Sequence, residues 1–242
     1  MTPYASQGWA FDKDSTLCIL TGAGISAESG IKTFRDSGGL WEGHSIEDVA
    51  TPEGFARNPE LVIDFYNKRR LQLKDVEPNP AHRALGKLEK ALGDRLTLIT
   101  QNVDDLHERG QSTSTIHMHG ELKKLRCIGE DQHVISFDGE QSPKVSRCPT
   151  CASPMRPHIV WFGEIPFELD LIESKVKSCS HFVYIGTSAR VYPAAGYKNL
   201  AMSHGAKVLN INLKVDRHDI DTDFFIEGPA GKMVPEWISD LL

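Results

Sequence analysis

A glycine-rich turn near the N-terminus has the spacing of a phosphate-binding loop. Residues 22–27 read GAGISA and match the pattern G-x-G-x-x-G/A. Gly22 and Gly24 allow the backbone to turn tightly and approach a pyrophosphate, which the amides of a following helix N-terminus attract. A plain turn between a strand and a helix has the same pattern, so the turn alone does not identify a ligand.

Amide and carboxylate side chains are concentrated just after the apolar run at residues 96–100. Gln101, Asn102 and Asp104 offer donors and acceptors for ribose hydroxyls or for a carboxamide. Helix capping is the alternative for Asn102 or Asp104, but it does not account for Gln101. The set therefore indicates a polar ligand at the end of a strand.

The segment 116–120, IHMHG, contains the histidine best suited to acid–base chemistry. We favour His119, because the adjacent Gly120 would allow a substrate to approach closely. A purely structural histidine is the alternative. An unperturbed pKa near 6.5 leaves most histidines neutral and basic at cellular pH.

Three cysteines have the spacing of metal ligands. Cys148 and Cys151 form a C-x-x-C pair, and Cys127 lies upstream at a suitable distance. No further cysteine lies in residues 128–132, so one of the usual four ligands is missing. His133 or a nearby acidic group would complete a structural zinc site, unless the site is degenerate and empty.

Strands and helices alternate around these residues. Apolar runs at 16–21, 96–100, 181–185 and 207–212 predict buried parallel strands. Helical spacing of apolar residues marks 81–92 and, more weakly, 169–176. The alternation predicts an α/β fold with a Rossmann-like, doubly wound parallel sheet, which binds ligands beyond the carboxyl ends of its strands.

Two segments depart from this alternation and predict a smaller inserted lobe. Residues 52–75 look helical, whereas residues 126–157 are polar, cysteine-bearing and poor in strands, like a zinc ribbon. We predict a single domain over 1–242. Its Rossmann-like core would comprise about 14–36, 78–121 and 158–242, and its small lobe about 37–77 and 122–157.

The composition narrows the class of protein. Hydrophobic residues make up 40% and charged residues 25%, as in ordinary globular proteins. The net charge of -6 disfavours broad contact with nucleic acid. No run approaches the roughly 20 apolar residues of a membrane helix, and no signal peptide is evident. We expect a cytoplasmic protein that binds neither nucleic acid nor membranes, with Cys18 and Cys179 as buried thiols.

Taken together, the motifs resemble the signature blocks of sirtuins, in the order of that family and over nearly the whole chain. The blocks are Gly22–Ile31, Phe34-Arg35, Gln101–Asp104, His119-Gly120, Val160–Glu164, Gly186–Ser188 and Asn210–Asn212. Within the family the chain is most similar to the bacterial CobB type. Chance agreement of so many spaced blocks is implausible.

The resemblance implies an enzyme that removes acyl groups from protein lysines at the expense of NAD, releasing nicotinamide and O-acyl-ADP-ribose. It implies that His119 is the general base, with Asn102 and Asp104 in the catalytic group. Val160, Phe162 and Gly163 would line the acyl-lysine tunnel and pair with the backbone of acylated proteins or peptides. The NAD-binding residues it implies are Gly22, Ala23, Gly24, Ser26, Phe34, Arg35, Gln101, Asn102, Asp104, Gly186, Thr187, Ser188, Asn212 and Ala230.

One helical segment predicts the acyl specificity. If residues 59–73 form one helix, Tyr66 and Arg69 share a face, and their hydroxyl and guanidinium groups could converge on a carboxylate. Arg70 fits a solvated basic face instead. Sirtuins that remove succinyl or malonyl groups resemble this chain in the Tyr-x-x-Arg pattern and in a small residue matching Ala50. Desuccinylation and demalonylation are therefore predicted alongside deacetylation.

Three other functions fit part of the pattern. A dehydrogenase would share the glycine turn, but no acidic residue stands at a clear second-strand end. A non-enzymatic module that senses NAD or carries zinc would leave His119 structural. Mono-ADP-ribosyl transfer would use the same activated ribose.

Overall fold

The computed structural model describes residues 9–32, 43–129, 132–142, 146–188, 191–214 and 223–241. The strands are β1 (Leu17–Thr21), β2 (Leu96–Thr100), β3 (Ile116–His117), β4 (Gly120–Cys127), β5 (Val134–Ser136), β6 (Met155–Ile159), β7 (His181–Ile185), β8 (Lys207–Asn212) and β9 (Phe224–Glu227). The α-helices are α1 (Ile46–Val49), α2 (Pro52–Arg57), α3 (Pro59–Gln72), α4 (Pro80–Leu92), α5 (Leu106–Arg109), α6 (Leu169–Ser178), α7 (Tyr197–Ser203) and α8 (Ala230–Leu241).

Six parallel strands form the main sheet. Their order is β3-β2-β1-β7-β8-β9, with β1 and β7 side by side at the point where the direction of winding reverses. This is the strand order of the Rossmann fold, whose ligand site lies at that switch point. The predicted Rossmann-like sheet is confirmed.

The side chains of β1 alternate between two apolar layers. Leu17 and Ile19 pack with residues of α4 and α8, whereas Cys18 and Leu20 pack with residues of α6 and α7. Helices thus cover both faces of the sheet, which explains why its central strands are predominantly apolar. The predicted burial of the thiols is confirmed, since Cys18 is 0% and Cys179 is 7% exposed.

The sequence-predicted helices are present, but α8 and the short helices α1, α5 and α7 were missed. Helix α4 begins after Asn79, whose side chain accepts from the backbone of Ala81 and forms a capping box with His82. Helix α8 contains Pro235, a residue that normally argues against a helix interior. Packing of its apolar face, including Val234 and Trp237, against the sheet outweighs that local penalty.

A second, antiparallel sheet has the order β5-β4-β6. Eight described residues of 126–157 lie in strands, namely the end of β4, β5 and the start of β6, but the sequence analysis did not predict that they form an antiparallel sheet. Charged residues interrupt the apolar residues of β4, and β5 has only three residues, so the sequence lacks a strong apolar alternation. The residue ranges given for the core and the smaller lobe stay a prediction.

Helix α3 is buried on more than one side. Its apolar residues join Leu122, Ile159 and Trp161 in a third hydrophobic cluster. Arg70 is 1% exposed, and its Nε donates to the Leu122 carbonyl at 2.8 Å. The expectation of a solvated Arg70 was therefore wrong, because β4 covers that side of the helix.

Among the described residues, none of the helices combines the length and the apolar character required to cross a lipid bilayer.

Candidate active site

Two glycine turns meet where β1 and β7 end. The amide of Gly24 donates to the Gly186 carbonyl at 2.8 Å, and Gly186 has a positive φ of 62°. A Cβ on Gly24 would lie 2.7 Å from the Gly186 Cα, and one on Gly186 would lie 2.4 Å from the Ile25 nitrogen. These glycines therefore have a structural task in addition to the predicted approach to a phosphate.

The backbone after the glycine turn differs from the prediction. Two short 3-10 turns, Ala23–Ile25 and Ala27–Ser29, take the place of the expected α-helix start, and Gly30 ends the second with a φ of 98°. The prediction of a helix immediately after the glycines was wrong. Gly30 has a left-handed backbone conformation and ends the second 3-10 turn. Phe34 and Arg35 lie outside the described residues.

Ser26 connects three polar side chains behind the turn. Its hydroxyl donates to Asp104 Oδ2 at 3.0 Å and accepts from Asn102 Nδ2 at 3.0 Å, and His82 Nε2 lies 3.4 Å away. All four residues are buried. Burial raises the pKa of Asp104, although hydrogen bonds from the Leu106 amide and Ser26 oppose that rise. Sequence reasoning had no signal for His82 at this position.

Hydrogen bonds also join the ends of β2, β7 and β8. Gln101 Nε2, after β2, donates to Thr187 Oγ1 at 2.9 Å, after β7. Asn212 Nδ2, at the end of β8, donates to the Thr187 carbonyl at 3.1 Å. The structure thus brings together these predicted site residues, and the adjacent Ser188 is exposed.

His119 lies beside this group. Its Nδ1 is 3.1 Å from the Gln101 carbonyl oxygen, which can only accept, so Nδ1 carries the proton. Nε2 is then the basic nitrogen of the neutral ring. Burial lowers the pKa of His119, and the hydrogen bond to Gln101 opposes that shift only in part. The second histidine of the motif, His117, lies 2.9 Å from Glu108 instead.

Gly120 is required by the backbone next to His119. It has a φ of 85°, and a Cβ there would lie 2.0 Å from the His158 carbonyl oxygen. The close approach at Gly120 is therefore made by β6, where the sequence had indicated a substrate. The Val160 amide donates to the His119 carbonyl at 2.9 Å, and this contact positions the start of the segment 160–164.

The residues predicted to contact the acyl group lie in one cluster. Tyr66 and Arg69 are buried residues of α3, and the charge of Arg69 acts on the Tyr66 hydroxyl. Burial raises the pKa of Tyr66 and keeps the hydroxyl protonated. Ala50 is 2% exposed in the same cluster, and its carbonyl accepts from the Phe162 amide at 2.9 Å.

The segment 160–164 combines exposed and buried positions. Phe162 is 45% exposed, and the adjacent Gly163 is also exposed. Trp161 is 2% exposed and packs in the third hydrophobic cluster. Glu164 anchors the segment, because Arg156 contacts both of its carboxylate oxygens at 2.7 and 2.9 Å. No motif in the sequence indicated Arg156.

The start of α8 contacts the 3-10 turn Ala27–Ser29, which follows the glycine turn. The Glu28 carboxylate accepts from the Gly231 amide. An acidic group at a helix N-terminus is favourable because it satisfies free amides and faces the positive end of the helix dipole. Ala230, predicted to lie near the adenine, is buried at this contact.

Four side chains of the small sheet fit a zinc ion. The ligand atoms of Cys127, His133, Cys148 and Cys151 all lie within 4.8 Å of one another. Tetrahedral zinc with Zn–S bonds of about 2.3 Å separates its sulfur ligands by about 3.8 Å. The Sγ atoms of Cys127 and Cys151 are 3.9 Å apart, and His133 Nδ1 lies 3.5 Å from Cys148 Sγ. His133 is thus placed to supply the ligand that the cysteine count left open.

Comparisons with known proteins place the chain in a family. The model of the Sir2 family matches residues 22–193. The chain is 51% identical over 237 residues to the NAD-dependent protein deacylase of Escherichia coli O6:H1, covering 96% of this chain and 86% of that protein. It is 52% identical over 234 residues to the enzyme of the same name from Yersinia pseudotuberculosis serotype I, covering 95% and 84% of the two chains. The chain therefore belongs to the Sir2 family.

Solved structures agree in fold. The complex of a Sir2 homologue with NAD has a TM-score of 0.85 and 37% sequence identity, covering 95% of this chain and 90% of that chain. A Sir2 homologue mutant bound to ADP-ribose has a TM-score of 0.88 and 36% identity, covering 100% and 96% of the two chains. The similarity extends over both the parallel sheet and the smaller antiparallel one.

Proposed function

We propose that this chain is an NAD-dependent protein-lysine deacylase that transfers the acyl group to ADP-ribose. The observation that carries this proposal is the position of His119, with Nδ1 on the Gln101 carbonyl and Nε2 available as a base, beside the polar strand ends. Membership of the Sir2 family and the deacylase relatives support it. We expect the enzyme to act in the cytoplasm on acylated proteins.

The residues of the switch point would hold NAD, which supplies an activated ribose when bound. The amides of the glycine turn would face its phosphates, and Asn212 and Ser188 the adenosine side. Gln101, Asn102 and Asp104 would orient the nicotinamide ribose. Ser26 would keep the last two of these in register, since its hydroxyl contacts both.

His119 would act as the general base. A neutral imidazole whose Nδ1 proton is engaged can take a proton from a ribose hydroxyl only at Nε2. Burial lowers the pKa of His119 and so keeps the ring neutral at cellular pH. Val160, Phe162 and Gly163 would guide the acyl-lysine toward this base, with the exposed backbone pairing to the peptide as an added strand.

The direct test mixes NAD, acylated peptides and enzyme and identifies the products by mass spectrometry. We expect free nicotinamide and O-acyl-ADP-ribose, and we expect His119→Tyr to lose deacylation while it still binds NAD. Reduction of NAD without release of nicotinamide would indicate a dehydrogenase. Unchanged behaviour of His119→Tyr would indicate a non-enzymatic sensor.

We further propose that Tyr66 and Arg69 recognise the carboxylate of succinyl- and malonyl-lysine. Both side chains are buried near Ala50, and a guanidinium with a hydroxyl donor is suited to a carboxylate. Kinetics of Arg69→Met on acetyl and succinyl peptides test this. The matched control is Lys68→Met on the same helix, because Lys68 is exposed and paired with Asp64. Equal losses on both peptides for Arg69→Met would refute a carboxylate-specific role.

A further inference from the structure

The indole N–H of Trp161 forms a hydrogen bond with Tyr66. Its indole Nε1 donates to the Tyr66 hydroxyl oxygen at 3.0 Å, and both side chains are buried. The two rings also lie in the same hydrophobic cluster, with centroids 6.4 Å apart. Exposed solvent therefore does not compete for this hydrogen bond.

The contact determines how Tyr66 presents its own proton. A phenol can donate once and accept through its lone pairs, whereas an indole can only donate. Since the indole proton occupies a lone pair of the hydroxyl oxygen, the phenolic O–H must rotate away from Trp161. The hydroxyl remains protonated in this buried setting, so it can still donate to an anionic group.

Trp161 is itself held in place from several directions. The guanidinium of Arg156 lies 3.3 Å from the centroid of the indole ring. The same guanidinium forms a double contact with Glu164, whose Oε2 accepts from the Trp161 backbone amide at 2.8 Å. Arg126 adds a third contact to Glu164 at 3.0 Å. A buried cation, a carboxylate and a backbone hydrogen bond together fix the indole plane.

We infer that Trp161 is a positioning residue that sets the preference for acidic acyl groups by orienting the Tyr66 hydroxyl toward the acyl carboxylate. This inference rests on the proposed role of Tyr66 and Arg69. It assigns acyl selectivity to a residue that would not contact the acyl group. The contacts of Arg156 and Glu164 with Trp161 would then contribute to substrate selectivity. Trp161→Phe keeps an aromatic ring and removes only the N–H donor and the second ring.

The test compares kcat/KM on succinyl and acetyl versions of one peptide. We expect Trp161→Phe to lower the ratio of succinyl to acetyl kcat/KM by about tenfold, mainly through KM for the succinyl peptide. Tyr66→Phe is expected to lower the ratio at least as much. The double variant should show the same ratio as Tyr66→Phe alone, because Trp161 acts through that hydroxyl.

The matched control is Trp237→Phe. Trp237 is 2% exposed, and its Nε1 has no hydrogen-bond partner among the described residues. This substitution should leave the succinyl-to-acetyl ratio unchanged, and thermal unfolding of each variant measures any general loss of packing.

Three results would overturn the inference. An unchanged ratio in Trp161→Phe would do so, as would independent, additive effects of Trp161→Phe and Tyr66→Phe. If the wild-type enzyme turned over acetyl but not succinyl peptide, the proposed acyl specificity would fail as well. Succinyl turnover in the wild type together with an unaltered Trp161→Phe ratio would refute the role of Trp161 alone.

Discussion

His119 is hydrogen-bonded through Nδ1 to the backbone carbonyl of Gln101, and the side chain of the same Gln101 donates to Thr187. The residue that fixes the tautomer of the base is thus also hydrogen-bonded to the end of β7, which is separated from β2 by β1. Any shift of that strand end would move the ring. The geometry of the base is in this way linked to the Rossmann switch point.

The pH dependence of kcat/KM should reflect the burial of His119. Burial lowers the pKa of this histidine below 6.5, and the neutral form is the active base. Activity should therefore be retained at pH 6.5 and be lost as the pH falls through the lowered pKa. Initial rates from pH 5 to 8 check this, and an acid limb with a midpoint above 7 would contradict it.

Ser26→Ala should weaken both stability and NAD binding. The substitution leaves the buried groups of Asn102 and Asp104 without their shared partner, which costs about 1–3 kcal/mol of unfolding free energy. Urea denaturation and NAD titration measure the two effects. Ser203→Ala serves as a control, since Ser203 is exposed and its hydroxyl contacts only local groups, the Leu200 carbonyl and the His204 ring. A Ser26→Ala protein as stable as this control would contradict the role of Ser26 as the shared hydrogen-bond partner of Asn102 and Asp104.

Gly186→Ala should destabilise the protein more than Gly205→Ala. Both glycines have a positive φ, so both substitutions carry the left-handed penalty of about 1–2 kcal/mol. Only Gly186 faces a backbone atom, 2.4 Å from the new Cβ, whereas Gly205 has open space. The difference in unfolding free energy isolates the contact between the two glycine turns. Equal losses would show that this contact is easily relieved.

His133→Ala should reduce the zinc content of the purified protein. Loss of one of four ligands is expected to weaken zinc affinity by more than about tenfold and to lower the melting temperature. Elemental analysis after dialysis against a mild chelator measures occupancy. His204→Ala is the control, because His204 is exposed and lies outside the cluster. Full zinc retention in His133→Ala would remove His133 from the ligand set.

Because His107 is buried in its neutral form, it should lower the free energy of unfolding in mild acid. Burial lowers the pKa of His107 to about 4 in the folded state, against 6.5 when it is exposed. Between these values the unfolded chain binds a proton that the folded chain does not, so the unfolding free energy decreases as the pH falls from 6.5 toward 4.

His107→Gln should flatten this dependence in urea denaturation at several pH values. Glutamine retains a group able to reach Thr21, which lies 2.9 Å from His107 Nε2. A residual slope is expected from His82, whose pKa burial lowers to about 3. An unchanged slope in His107→Gln would contradict the assignment.

Local patterns were sufficient for the four central parallel strands and for α2, α3, α4 and α6. The four central strands β1, β2, β7 and β8 are largely buried, so their sequences are predominantly apolar and easy to detect. The small antiparallel sheet was missed, because strands exposed on one face carry polar residues that weaken the pattern. Helix α8 was missed because Pro235 argues locally against a helix. Long-range packing of its apolar face outweighs that local penalty.

The sequence by itself determined the strand-end motifs, the family resemblance and the metal-type cysteines, because each depends on residue types at short, fixed spacings. Only the tertiary structure decided which distant groups meet. It placed Gly24 against Gly186, Ser26 between Asn102 and Asp104, and His133 among three cysteines. Such contacts join residues that are far apart in the chain, and nothing in the local sequence of either partner specifies the other.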